Sequence, residues 1–283
     1  MTRNVNTICL STLSWALLMG VNATPAVAVT IDFEGLANGQ HLDTPFEVSP
    51  LFNITASETD SPGPAIFDSS PLGPNAGGLD PDLLIDSGNL LILQEREDKG
   101  VDYSGKTGDN FDLPNDAAHG GTITFDFVLP VGPTSVDLVD IDPDSHVEVR
   151  LTDTSGRRRI YEVPDDWTTD ITDAPQGWQR LDLTTLASQP SEPNATGDDA
   201  TVSQDAGFLA SQVVQIEFAF TGSAAIDNLN LIPEPTTASL FLSGVIAFSL
   251  SRRRSAHTSN VGPEPCRRFG REYRARAWCL ANR

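Results

Sequence analysis

Between residues 122 and 231, apolar and polar positions alternate with a period of two in short runs. Ile123, Phe125 and Phe127 fall on one face of an extended segment, and Thr122, Thr124 and Asp126 on the other. The same pattern recurs in 135–141, 146–152, 159–163, 179–183, 213–220 and 224–231. Turn chemistry separates these runs: Leu-Pro-Val-Gly-Pro at 129–133, Pro-Asp-Ser at 143–145 and Thr-Ser-Gly at 154–156. Many short strands between Gly- and Pro-bearing turns predict an all-β fold, a β-sandwich of jelly-roll type. A weak helical pattern is confined to 201–211. Residues 57–82, 98–121 and 189–200 read as long loops, the kind that carry function or move.

The two ends depart from this pattern. Near the N-terminus, Arg3 is followed by an apolar stretch over 8–21, a helix-breaking Pro25 and the small-x-small triplet Ala26-Val27-Ala28. This is the layout of a cleavable signal peptide over 1–28, a helix that signal peptidase would remove. Near the other end, Pro233, Glu234 and Pro235 precede a 16-residue apolar segment, 236–251, closed by Arg252, Arg253 and Arg254. As a helix that segment spans about 24 Å, slightly less than a hydrocarbon core of about 30 Å. The arginines would hold its far end in the cytoplasm. The chain thus divides into 1–28, a β-sandwich ectodomain over 29–232, a single transmembrane helix within 233–254 and a basic tail over 255–283.

Charge sharpens the division. The formal net charge is -21, but residues 252–283 carry nine Arg against two Glu, so the body between the ends is near -29. A surface so acidic repels nucleic acid and anionic lipid, and suits either plain solubility or divalent-cation binding. The three cysteines, Cys9, Cys266 and Cys279, all lie outside the body, which therefore folds without a disulfide or a thiolate metal site.

The Pro-Glu-Pro triplet, apolar helix and arginine cluster, in that order, resemble the PEP-CTERM sorting signal. That resemblance implies recognition by an exosortase and a membrane-anchored intermediate. It also implies delivery to the cell surface or extracellular matrix, alongside exopolysaccharide. The 29 residues after the arginines exceed what such a signal carries.

Within the body, Ile31-Asp-Phe-Glu-Gly, Gly78-Leu-Asp-Pro-Asp-Leu, His119-Gly-Gly-Thr-Ile-Thr-Phe-Asp-Phe and Ile226-Asp-Asn-Leu form a series. It resembles uncharacterised bacterial extracellular β-sandwich domains and, at its two ends, jelly-roll carbohydrate-binding modules. In those modules the matching opening and closing strands help hold a structural calcium. The resemblance implies such a site at Asp32, Glu34 and Asp227. On a strand, Asp32 and Glu34 would share the face opposite Ile31 and Phe33, and three converging carboxylates would need a cation. Calcium, which takes six to eight hard oxygens, fits that chemistry.

Asp80, Asp82, Asp98, Asp102, Asp109, Asp112 and Asp116 crowd the long loops and offer further oxygen ligands, or simply solvated charge. Trp167, after Pro-Asp-Asp, is the expected exposed aromatic for stacking on a sugar ring. Trp178 reads as core. No two histidines stand at a zinc spacing. No nucleophile elbow, P-loop or dinucleotide fingerprint occurs. The expectation is a non-enzymatic, exported surface or matrix module, stabilised by calcium and associated with polysaccharide. The alternative is a secreted jelly-roll hydrolase acting on polysaccharide, to be recognised by a carboxylate pair at catalytic separation.

Overall fold

A computed structural model describes residues 27–42, 51–57, 62–78, 80–98, 100–141, 143–168, 177–193 and 195–234. Residues 1–26 of the signal peptide expected over 1–28, Pro235, the apolar segment, Arg252–Arg254 and the basic tail lie outside the described residues. So do the two terminal helices expected there.

The described chain is all-β, with one 3-10 turn at Pro81–Leu83 and no α-helix. Its first strands are β1 (Val29–Ile31), β2 (Phe52–Ser57), β3 (Pro64–Asp68) and β4 (Asn89–Leu93). Four two-residue strands follow: β5 (Glu97–Asp98), β6 (Val101–Asp102), β7 (Lys106–Thr107) and β8 (Asn110–Phe111). The long β9 (Gly121–Val139) leads into β10 (Val147–Asp153), β11 (Arg158–Val163), β12 (Trp178–Asp182) and β13 (Thr201–Gln204). The last two are β14 (Val213–Phe220) and β15 (Ala225–Pro233). The helical expectation over 201–211 is corrected. Thr201–Gln204 pairs with β11, and the remainder turns back toward β14.

β9 organises the fold because it serves two layers. Its first half pairs with β2 and β14, which continue through β10 and β11 to β13. Around Leu129-Pro130 its partners change, and its second half pairs with β12 and β15. β15 then carries β1 along one stretch and β4, with β3 beyond it, along another. Proline donates no ladder hydrogen bond, so a Leu-Pro-Val-Gly-Pro crossover is a place where a strand can leave one partner and take up others.

Side chains from both layers meet in one core. Phe125, Phe218, Val149 and Tyr161 come from the first layer, and Val136, Leu138, Ile226 and Leu91 from the second. Phe125 packs edge-on to Phe218 with ring centroids 5.9 Å apart. The predicted alternations at 122–128, 146–152 and 213–220 are realised as β9, β10 and β14, each with one face in this core.

The second layer is covered on its outer face as well. Ala65, Phe67, Leu90, Ile92, Val139 and Ala225 pack there against Leu83 and Phe111 from the long loops. This explains why β4, Asn-Leu-Leu-Ile-Leu, is buried at every position and shows no alternation.

Candidate functional site

The outer face of the second layer changes character within one row of residues. Trp178, Val139, Ala225, Ile92 and Ala65 stand opposite one another across β12, β9, β15, β4 and β3 and form an apolar row. Two residues along, the row is ionic: Arg180 opposes Asp137, which opposes Asp227. Arg180 grips Asp137 with two hydrogen bonds, Nε to Oδ1 at 2.7 Å and Nη2 to Oδ2 at 2.8 Å. Asp137 is buried and Arg180 about half exposed.

A break in the ladder lies just beyond Asp227. Register shifts between Asp227 and Asn230, and Asn228 adopts φ +48°. Asn tolerates that conformation better than most residues. The Asn228 amide group donates to Asp137 Oδ2 at 3.0 Å and to Asp227 Oδ2 at 2.9 Å, bridging the two carboxylates. Asp227 also accepts the Asn228 backbone N–H at 2.6 Å and the Ser87 hydroxyl at 3.2 Å.

These donors do not cancel the cost of burial. Desolvation pushes the Asp227 carboxyl up to about 7, the Asn228 and Ser87 hydrogen bonds pull it down, and the Asp137 and Glu34 charges push it up again.

Glu34 arrives beside Asp227 by a route that periodicity could not show. β1 ends at Ile31, and Phe33 turns with φ +58°. The Glu34 carboxylate then lies over Gly88, where it accepts the Asn89 backbone N–H at 3.1 Å. Gly88 has φ +85°, a conformation that favours glycine, and a Cβ there would displace the Glu34 carboxylate, 1.9 Å from it. Asn89 donates its amide group to the carbonyls of Phe33 and Leu36, pinning the turn.

Of the expected calcium ligands, the fold therefore brings Glu34 to Asp227 and not Asp32. Asp32 is exposed and accepts the Glu34 backbone N–H at 3.3 Å. The shared-face expectation for Asp32 and Glu34 is corrected because the strand ends at Ile31, before both residues, and Phe33 turns the chain. Asp137 stands in the third position, which sequence reasoning missed. Its only local signal was an acid inside a strand run. Among the described residues, no three His, Cys, Asp or Glu side chains are arranged to hold a metal ion as they stand.

A second carboxyl group of different design is built from two of the long loops. Asp80 precedes the 3-10 turn, Asp82 lies within it, and Asp116 bridges to Gln94. Asp80 Oδ2 accepts the Asp116 backbone N–H at 3.2 Å, and the Ser223 hydroxyl donates to Asp116. Asp80 and Asp116 are buried. Burial first, then the charges and hydrogen bonds of Asp116 and Asp82, push the Asp80 carboxyl up to about 12. It holds a proton throughout the neutral range. Asp102, by contrast, is exposed on its loop, where the hydroxyl and N–H of Ser104 hold its carboxyl below the ordinary range.

Trp167 is 0% exposed, so the expectation that it stacks on a sugar from the surface is corrected. Asp166 turns with φ +49°, and the loop after β12 closes over the ring. The indole N–H donates to the Gln189 carbonyl at 3.3 Å, and the Trp167 carbonyl accepts the Glu192 N–H at 3.1 Å. Pro-Asp-Asp marks a turn but does not fix which side of it is wet. Trp178, expected in the core, packs at the edge of the outer apolar row.

No protein-family model matches the chain, and no curated protein matches it. Among solved structures it is similar to the family 11 carbohydrate-binding module of cellulosomal cellulase Lic26A-Cel5E of Clostridium thermocellum. The identity is 13%, the coverage 70% of this chain and 96% of that one, and the TM-score 0.27. A likeness at that level carries no argument about ligand or site.

Proposed function

We propose that the protein is an exported, non-enzymatic surface or matrix module, delivered by signal peptidase and an exosortase and steadied by calcium. The observation that carries the sorting reading is where the domain stops. β15, a central strand, ends at Pro233, the first residue of the Pro-Glu-Pro triplet. Pro233 still pairs with Val131, and the Glu234 N–H still reaches the Pro130 carbonyl at 3.4 Å. A sorting segment read from Pro233 would begin where the described hydrogen bonds of the sheet end. Deleting 233–254 should send the ectodomain to the medium. In wild-type cells, fractionation and mass spectrometry should find processing near the triplet. An intact C-terminus kept in the membrane, independent of exosortase, would contradict the proposal.

Calcium is assigned to the Glu34–Asp227 pair. The turn after β1 carries Glu34 toward Asp227 on β15, and burial pushes the Asp227 carboxyl up to about 7. A divalent cation would supply the positive charge that Asp227 lacks, since Arg180 is committed to Asp137.

With Trp167 buried, contact with polysaccharide falls to the solvent face of the first layer. There Thr55, Thr124, Glu217, Arg150, Ile160 and Ser203 stand in register across six strands. Arg150 is paired to Glu148 and Glu217. Such a face can hydrogen-bond hydroxyl groups and presents no aromatic for stacking along that row. Binding on a glycan array that Arg150→Ala and Thr124→Ala abolish would support this assignment. Unchanged binding by both variants would remove it.

A further inference from the structure

We propose that the end of the domain from which both termini leave is a membrane-docking rim that rests on the lipid surface. β1 and β15 run antiparallel with Val29 opposite Leu231, so residues 27–29 and 232–234 emerge side by side. The β9 crossover lies at the same end, because Gly132 opposes Ile232 and Val131 opposes both Pro233 and Val213.

Large apolar side chains are exposed there: Val128 at 65%, Leu129 at 45%, Leu51 at 43%, Leu209 at 42% and Ile232 at 42%. They belong to one structural neighbourhood. The Val128 N–H donates to the Leu51 carbonyl at 2.9 Å, and the loop carrying Leu209 abuts the crossover at Gly132. A soluble domain gains nothing from leaving such side chains grouped in water.

Charge separates this end from the rest of the body. Segments 27–31, 50–57, 127–136, 206–216 and 228–233 contain no charged residue at all, although the body as a whole is near -29. The charges nearest this end are mixed: exposed Asp205 accepts the Arg158 backbone N–H at 2.8 Å, and Glu234 follows the last residue of β15. Arg157 lies in the β10–β11 turn and donates to the Gly207 carbonyl at 2.6 Å, next to the Leu209 loop, and Arg158 opens β11. The apolar rim matches the acyl boundary of a bilayer, with Arg157 beside it to meet the phosphate layer. The strongly acidic remainder would be held away from the lipid.

The occupant follows from where the chain goes next. This inference rests on reading 236–251 as a membrane anchor. That segment begins two residues after Glu234, a span of at most about 7 Å. An anchor so close leaves the rim no distance at which to avoid the headgroups.

The test uses the full chain reconstituted in phosphatidylcholine vesicles, with the three native cysteines replaced by serine. An environment-sensitive fluorophore is placed by Leu129→Cys or, at the opposite end, by His119→Cys, an exposed position beside the first residue of β9. Leu51→Cys repeats the rim measurement should Leu129→Cys misfold. Nitroxide-labelled lipid is expected to quench the rim probes several-fold more than the His119 probe. Equal quenching in chains that float with the vesicles would overturn docking and leave the anchor standing. Chains that do not float with the vesicles would overturn both.

Discussion

Asp227 and Asp80 are buried carboxyls of one domain, and burial pushes both upward. They differ in what surrounds them. Asp227 accepts hydrogen bonds from Asn228 and Ser87, and its acidic neighbour Asp137 is held by Arg180. Its carboxyl reaches only about 7. Asp80 faces Asp116 and Asp82, whose charges add to its burial, and its carboxyl reaches about 12. Hydrogen-bond donors and one nearby arginine therefore separate a group that titrates near neutrality from one that does not. The first can exchange its proton for another cation at physiological pH; the second is neutralised by the proton it keeps.

The comparison breaks most severely at Arg180. Arg180→Ala leaves Asp137 buried beside Asp227 with only Asn228 to soften it. Losing one partner of a fully buried pair costs about 3–5 kcal/mol, and the half-exposed arginine reduces that here to about 2 kcal/mol. Urea denaturation measures the loss, and Asp137→Asn in the same chain should recover part of it. If Arg180→Ala unfolds at the wild-type midpoint, the ionic row does not hold the layer together.

Asp80→Asn should act in the opposite direction. The wild-type folded state holds a proton on Asp80 that the unfolded chain releases above its ordinary value near 3.8. Stability linked to that proton is full below about pH 4 and falls as pH rises toward 12. Asparagine mimics the protonated acid without the uptake. The variant should gain about 1 kcal/mol or more at pH 8, one pH unit being worth about 1.4 kcal/mol for one proton. A marked loss at pH 8 would mean that the carboxylate, not the acid, is the working form.

Smaller and more diagnostic is the pH window. Asp227 retains its proton in the folded state between about 4 and about 7, so its contribution is lost as pH rises across that interval. Above 7 the wild type should continue to lose stability through Asp80. The Asp80→Asn variant should instead level off near 7. Asp227→Asn should make the decline between 4 and 7 shallower, down to the slope that Asp80 alone supplies, and leave the decline above 7 intact. Identical pH profiles for the two variants would erase the distinction between the sites.

How much of this was legible depended on distance along the chain. The strands at 122–128, 146–152 and 213–220 bury one face only, so their alternation is visible. β4 is buried on both faces because Leu83 and Phe111, from distant loops, cover its outer side; no local period records that. The pairing of the opening and closing motifs was legible, and Glu34 does lie beside Asp227. Asp32 failed because one residue, Phe33, turns through positive φ. Arg180, Asp137 and Asn228 join the site only through cross-strand register. Pro-Asp-Asp before Trp167 signals a turn and not its wet side, and the 189–192 loop folds over the ring.

The central claim is that calcium steadies the Glu34–Asp227 pair, while a proton suffices at Asp80. Calorimetry at pH 8, on chelated protein with and without millimolar calcium, tests it most directly. Calcium should raise the melting temperature by mass action. The rise should disappear in the Glu34→Gln, Asp227→Asn double variant and persist in Asp80→Asn. It should also shrink at pH 5, where Asp227 holds its own proton. No calcium shift in the wild type, or a shift that survives the double variant and vanishes in Asp80→Asn, would contradict the account.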